Sequence, residues 1–328
     1  MKKILVICLS VAVIAGCIPK VEENTDPFDI YTEVAKTVVI QLTQQAELIP
    51  TSTVTATLEP TTTLTNTPEP TPTMPTLTPT WAYNPPGAIK VPILAYNHIA
   101  DDATDNLYYE AGDEINISSQ TFQQQMTILK DAGYSAMPVS LIVKAIKTGA
   151  EIPSQPVAIT FDVMSIGIYQ KAFPIMKELE YVATLFVTLN HLDTDGMITT
   201  VQLEEMMDAG WEIGSRGMNG YDLTNDYSLL SNEISGSRLA LEEKFGIPIT
   251  LFAYPYGRSD DMIFERVISW GYKAAVGYTW YETPEHTDLN LYYLSRYVIN
   301  NGLSVEQFVS FLPWKPVQIP TTVPTSGL

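Results

Sequence analysis

Between residues 87 and 312, short runs rich in β-branched and aromatic residues alternate with longer stretches whose apolar positions recur every three or four residues. The short runs predict strands at 91–96, 157–162, 184–189, 211–215, 249–254, 273–278 and 293–299. The longer stretches predict helices at 121–132, 169–180, 201–209, 228–245 and 260–270. Such alternation implies a parallel sheet covered by helices. About seven strands in roughly 225 residues suit a distorted (β/α) barrel better than an open sheet. Chemistry in barrels of this kind gathers at the C-terminal ends of the strands. That rule singles out Asn97, Asp162, Ser215-Arg216 and the loop Tyr254-Pro255-Tyr256-Gly257.

The pattern changes on both sides of this stretch. Lys2 and Lys3 precede an apolar run from Ile4 to Ala15 broken only by Ser10, the charged head and short apolar body of a secretory signal over residues 1–16. The run is too short to span a bilayer. Its end, Ile14-Ala15-Gly16-Cys17, resembles a bacterial lipobox, which predicts a cleaved signal and a lipid on Cys17. The chain is therefore expected to be exported and held to the outer side of a membrane through Cys17, within a segment 17–49. Ile30, Val34, Val38 and Leu42 recur every four residues there and predict an amphipathic helix over 29–48. Residues 50–86 are threonine and proline with almost no charge, a composition that predicts an extended linker of ~3 Å per residue. Residues 313–328 return to proline and threonine.

Charge and cysteine content narrow the partners. The formal net charge of −19 argues against nucleic acid and anionic lipid as electrostatic partners, and leaves neutral glycans open. The only cysteines are Cys8 and Cys17, and loss of the signal would leave one, so no internal disulfide is expected.

Five ordered segments carry a resemblance to a known family. They are Val91-Pro92-Ile93-Leu94-Ala95-Tyr96, Gly133-Tyr134, Ile159-Thr160-Phe161-Asp162, Gly210-Trp211-Glu212-Ile213-Gly214-Ser215 and Phe252-Ala253-Tyr254-Pro255-Tyr256-Gly257. Together they resemble the polysaccharide deacetylases of carbohydrate esterase family 4, in the permuted branch that acts on poly-N-acetylglucosamine. The resemblance implies an N-acetyl amide hydrolase using one divalent metal such as zinc to polarise the carbonyl and acidify a bound water. Where the family reads Thr-Phe-Asp-Asp-Gly, with a base and then a metal ligand, this chain reads Thr160-Phe161-Asp162-Val163-Met164. Where the family places two histidine ligands, this chain has Arg216 and Gly220. Arginine stays protonated and glycine has no donor. Asn97 stands where that branch has its general acid. His98 follows it, on the opposite face if the strand stays regular.

The resemblance therefore implies a site whose base position, Asp162, survives while its metal ligands and acid are replaced, so no metal is expected. It also implies that Arg296 orients the Asp162 carboxylate and that residues 254–257 form a groove wall, with a tyrosine amide facing the reacting carbonyl. Two further expectations come from the residues themselves. Arg216 could pair with Asp162, since a buried carboxylate needs a cation. The aromatic run from Tyr278 through Trp280 to Tyr281 could either stack on sugar rings or pack in the core. His191 and His286 are expected to be solvated in polar loops. Three functions stay open: a non-catalytic glycan-binding homologue contacting sugar through Tyr254, Pro255, Tyr256 and Trp280; a working but atypical deacetylase; and an interaction scaffold.

Overall fold

The computed structural model describes residues 80–105, 115–279 and 284–314. The signal segment, Cys17, the helix expected over 29–48, most of the linker, Trp280 and all but the start of the tail lie outside the described residues.

All seven expected strands form. They are β1 (Ile93–Tyr96), β2 (Pro156–Phe161), β3 (Thr184–Val187), β4 (Glu212–Ser215), β5 (Leu251–Ala253), β6 (Ala274–Thr279) and β7 (Leu294–Val298). They run parallel in the order β1-β7-β6-β5-β4-β3-β2, and β2 pairs back onto β1, which closes the barrel. Closure leaves no free edge within the ring. A short strand, Ser135–Ala136, adds to β2 on the outside of this order.

Side-chain alternation divides the core into two layers. Ile93, Ala158, Phe186, Leu251, Ala253, Val276 and Leu294 form one apolar cluster together with residues of helix α2 (Val139–Thr148). Their alternate neighbours Leu94, Val157, Ile159, Leu185, Val187, Phe252 and Ala275 belong to a second cluster. The first layer fills the barrel, and the second packs the strands against α1 (Ser119–Asp131), α3 (Phe173–Glu178), α4 (Thr200–Asp208), α5 (Ser237–Phe245), α6 (Asp261–Ser269) and α7 (Val305–Ser310). The starts of α1, α4, α6 and α7 are fixed by side-chain caps. Thr199 and Gln202 cap α4 reciprocally, and Asp260 accepts from the Ile263 N–H of α6.

Helix α2 lies outside the helices predicted from periodicity: it buries Val139, Ser140, Leu141, Ile142, Val143, Ala145 and Ile146, and its polar stripe, Lys144, Lys147 and Thr148, is confined to its second half. Its first residues seat on the N-terminal ends of the strands: the Val139 N–H donates to Thr184 Oγ1 at 3.1 Å and the Ser140 N–H to Glu212 Oε2 at 3.2 Å. The helix expected over 228–245 is in three parts, a 3-10 turn, a π-helical turn at Ser231–Gly236, and α5. The folded region also extends past the limits read from composition. Trp81–Asn84, assigned to the linker, pairs antiparallel with Ala150–Pro153, and Trp314 of the tail packs edge-on against Tyr134 with ring centroids 5.7 Å apart.

Candidate functional site

Every position singled out at the strand ends falls at one end of the barrel. Asn97 follows β1, Asp162 follows β2, Arg216 follows β4 and Tyr254 follows β5. The centre of this end is a fully buried ion pair. Arg296, on β7, donates through Nη1 to Asp162 Oδ1 at 2.5 Å and through Nη2 to Oδ2 at 2.8 Å. Tyr278 sits opposite Arg296 in the β6–β7 register, and its hydroxyl donates to Asp162 Oδ2. The remaining donors of Arg296 reach Thr160 Oγ1 at 3.1 Å and the Gly277 carbonyl at 3.2 Å. Its guanidinium lies 4.9 Å from the Tyr278 ring centroid and 5.4 Å from that of Phe186. Phe186 has room for its ring because Gly214 on β4 carries no Cβ, which would stand 2.7 Å from that ring.

Burial alone would raise the Asp162 carboxyl, but the charge and hydrogen bonds of Arg296 overcome it. Arg216 and the Tyr278 hydroxyl then add to the lowering, so the group is held below the ordinary carboxylate range. Arg296 is correspondingly pushed up: burial opposes its charge, and Asp162 outweighs burial. The Tyr278 hydroxyl is raised by burial and then by the charge of Asp162. Asp162 is thus an ionised, fixed acceptor.

Arg216 does not make the direct pair expected of it. The ion pair on Asp162 is taken by Arg296, and Arg216 acts on Asp162 only as a neighbouring charge. Its Nε is buried without a hydrogen-bond partner among the described residues, and its guanidinium lies 5.8 Å from the Tyr256 ring centroid. Gly220, at φ +71°, makes room for it, since a Cβ there would stand 2.6 Å from Arg216 Nη1. The same loop is tied down by a residue that the sequence did not single out. Glu233, buried in the π-helical turn, accepts from the Asn219 side-chain amide at 2.6 Å, the Asn219 N–H at 2.9 Å and the Gly220 N–H at 3.2 Å. His191 adjoins both charges. Burial lowers its pKa, the nearby Arg216 lowers it further, and Glu233 opposes them. It is half-buried rather than solvated.

These donors do not fit a divalent metal. The positions that the resemblance assigns to ligands hold an alkyl group at Val163, a permanent cation at Arg216 and no side chain at Gly220. Among the described residues no group of three or more His, Cys, Asp or Glu side chains is close enough to hold an ion.

The remaining sequence expectations separate into surface and core. Asn97 is half-buried, and the ladder breaks there: His98–Ile99 leaves the barrel to pair with Asn116–Ile117, and His98 is buried. Tyr254 and Pro255 are buried, so neither side chain presents a wall to a groove. The Tyr254 hydroxyl donates to the Tyr292 carbonyl at 2.9 Å and its N–H to Val276 at 3.1 Å, which leaves the Tyr256 amide as the one of the two that can face a groove. Tyr256 is 60% exposed and holds a left-handed backbone, φ 59°. A tyrosine pays roughly 1–2 kcal/mol for that conformation. With Tyr221, Asp222 and Arg258 it lines an open cleft of about 600 Å³. Tyr278, from the aromatic run, belongs to the buried centre. His286, expected in solvent, is 1% exposed with Nε2 3.1 Å from the Val91 carbonyl oxygen.

Residues 149–275 match the sequence model of a family described as polysaccharide deacetylase. A Bacillus subtilis protein whose name places it among polysaccharide deacetylases is 25% identical over 227 residues, covering 68% of this chain and 76% of its own. The poly-β-1,6-N-acetyl-D-glucosamine N-deacetylase of Staphylococcus epidermidis is 26% identical over 201 residues, covering 57% of this chain and 68% of its own. Among solved structures, a polysaccharide deacetylase from Bacillus cereus superposes with a TM-score of 0.59 at 25% identity over 69% of each chain.

Proposed function

We propose that the barrel, which matches the polysaccharide deacetylase model over residues 149–275, binds an N-acetylated glycan without hydrolysing it. One observation carries the reading: the three positions where the family ligates its metal hold Val163, Arg216 and Gly220. No water can be acidified by a centre that offers no ligand, and metal activation and proton transfer each contribute several kcal/mol to such a reaction. Asn97 removes the second of these as well. What persists is the scaffold around the acyl group: an ionised Asp162, the Tyr256 loop and an open cleft beside it. The names of the staphylococcal relatives support an N-acetylglucosamine polymer as the ligand class. Export and a lipid on Cys17 belong to the same proposal, since they would hold the barrel where such polymers occur.

The test uses the full chain. Bound metal is measured by mass spectrometry, and acetate release from N-acetylglucosamine oligomers is followed with and without added Zn²⁺ or Co²⁺. The expected result is neither metal nor acetate, with oligomer binding on a glycan array. Stoichiometric metal with turnover would establish the working deacetylase instead, and absence of both binding and turnover would leave the scaffold. Labelling with radioactive palmitate that disappears in Cys17→Ala checks the anchor.

A further inference from the structure

Arg216 is an anomaly of charge and of hydrogen bonding at once. Its Nε is sealed from solvent with no acceptor among the described residues, and no described carboxylate lies within ion-pair distance of its guanidinium. A buried donor left unpaired is costly, and more so when it carries charge. The molecule nevertheless builds around it. Gly220 gives up a side chain at the point where Nη1 lies, and Tyr256 adopts a left-handed backbone with its ring 5.8 Å from the guanidinium. Strain and an unmet donor in one place mark a position completed by something else.

The surrounding charges select what completes it. Two carboxylates converge here, Asp162 and Glu233, and two guanidiniums balance them, Arg296 and Arg216. Arg296 is committed to Asp162 in a bidentate pair. Glu233 and Arg216 meet at Gly220, whose N–H is 3.2 Å from Glu233 Oε2 and whose missing Cβ would be 2.6 Å from Arg216 Nη1. The cluster is therefore neutral as it stands, within a chain of net charge −19. An anionic ligand would bring a third negative charge beside two fixed ones. A neutral acyl oxygen brings an acceptor and no charge.

We propose that the Arg216 guanidinium, standing at a former metal-ligand position, donates to the acetamido carbonyl oxygen of the bound glycan and makes the site selective for N-acetylated over free-amine sugar. The proposal rests on the glycan-binding reading and adds its chemical determinant. The neighbouring sugar lies in the cleft lined by Tyr256 and Tyr221, which are 60% and 52% exposed and offer stacking faces continuous with Arg216 through the Tyr256 ring. The selectivity is reinforced by exclusion, because a glucosamine ammonium would be placed against a guanidinium.

The experiment is calorimetric titration of the full chain with a β-1,6-linked N-acetylglucosamine tetramer, with the same tetramer fully de-N-acetylated, and with a glucuronic acid tetramer. The wild type should bind the acetylated tetramer at least about tenfold tighter than the free-amine form, the value of one charge-assisted hydrogen bond. Arg216→Gln should reduce that preference to about twofold while retaining weak binding of both tetramers through the cleft. Retention of the full preference in Arg216→Gln overturns the proposal and leaves the glycan-binding reading intact. Tighter binding of the glucuronic acid tetramer also overturns it, in favour of an anion site. Binding of no tetramer overturns the glycan-binding reading itself. If Arg216→Gln does not fold, the wild-type protein still decides: the ¹⁵N–¹H resonance of the Arg216 Nε–H should shift on adding N-acetylglucosamine and not on adding glucosamine, and the reverse pattern or no shift overturns the proposal.

Discussion

The two ends of the barrel each bury a carboxylate, and the two behave oppositely. At the C-terminal end, Asp162 meets a guanidinium in bidentate geometry and its pKa falls. At the N-terminal end, Glu212 on β4 is 1% exposed and meets only neutral donors, the Thr184 hydroxyl at 2.8 Å and the Ser140 N–H at the start of α2. Its pKa rises, because burial outweighs those hydrogen bonds. Burial pushes both groups the same way; a full opposing charge reverses the sign, and a pair of neutral donors does not. The upper end can therefore hold fixed charge in a dry interior. The lower end is a plug.

The largest expected effect breaks the upper pair. Arg296→Met leaves Asp162 buried and unpaired and should cost about 3–5 kcal/mol in urea denaturation at pH 7. Replacing both partners, Asp162→Leu with Arg296→Met, should recover most of that loss and end within about 2 kcal/mol of the wild type, since no charge is then left uncompensated. A double variant as unstable as the single one would show that Thr160, Tyr278 and Phe186 depend on the pair for their own packing.

The pH response sharpens the contrast. The folded pKa of Asp162 lies below its unfolded value, so its contribution is present above about pH 4 and is lost as pH falls through the lower folded value. The folded pKa of Glu212 lies above its unfolded value, so it costs nothing in acid and becomes destabilising as pH rises past about 4.3 toward the raised value. Denaturation curves across pH 3–7 should lose their Asp162 acid limb in the double variant. In Glu212→Gln they should gain stability at pH 7 relative to pH 4, when compared with the wild type. The smallest effect belongs to Arg216→Gln, which should change stability by about 0.5 kcal/mol at most, because attraction to Asp162 and Glu233 is offset by an unsatisfied buried donor. A loss as large as that of Arg296→Met would make Arg216 a structural cation.

Much of this was legible in the residues. The seven strands follow from apolar runs bounded by turns, since parallel strands buried on both faces need continuous apolar sequence; all six residues of Pro156–Phe161 are buried. That Val163, Arg216 and Gly220 offer no metal donor needs only the side-chain chemistry of the residues present. Helix α2 escaped because its first five residues are all buried and its polar stripe, Lys144, Lys147 and Thr148, falls only in its second half. Glu233 escaped because its role is to accept three N–H donors from residues 13 and 14 positions away, and a glutamate in a helical stretch reads as a solvated face.

The sequence by itself determined the barrel and the strand ends that form its rim, because each depends on local pattern. Only the tertiary structure decided which arginine holds Asp162. Arg296 and Arg216 lie 134 and 54 residues from it; the resemblance offered the first and the need of a buried carboxylate for a cation offered the second. The β6–β7 register aligns Arg296 with Tyr278, and inward alternation carries Asp162, Thr160 and Arg296 into one layer of the barrel. Arg216 follows β4 into a loop governed by Glu233, where its charge is felt by Asp162 and its Nε meets no acceptor among the described residues.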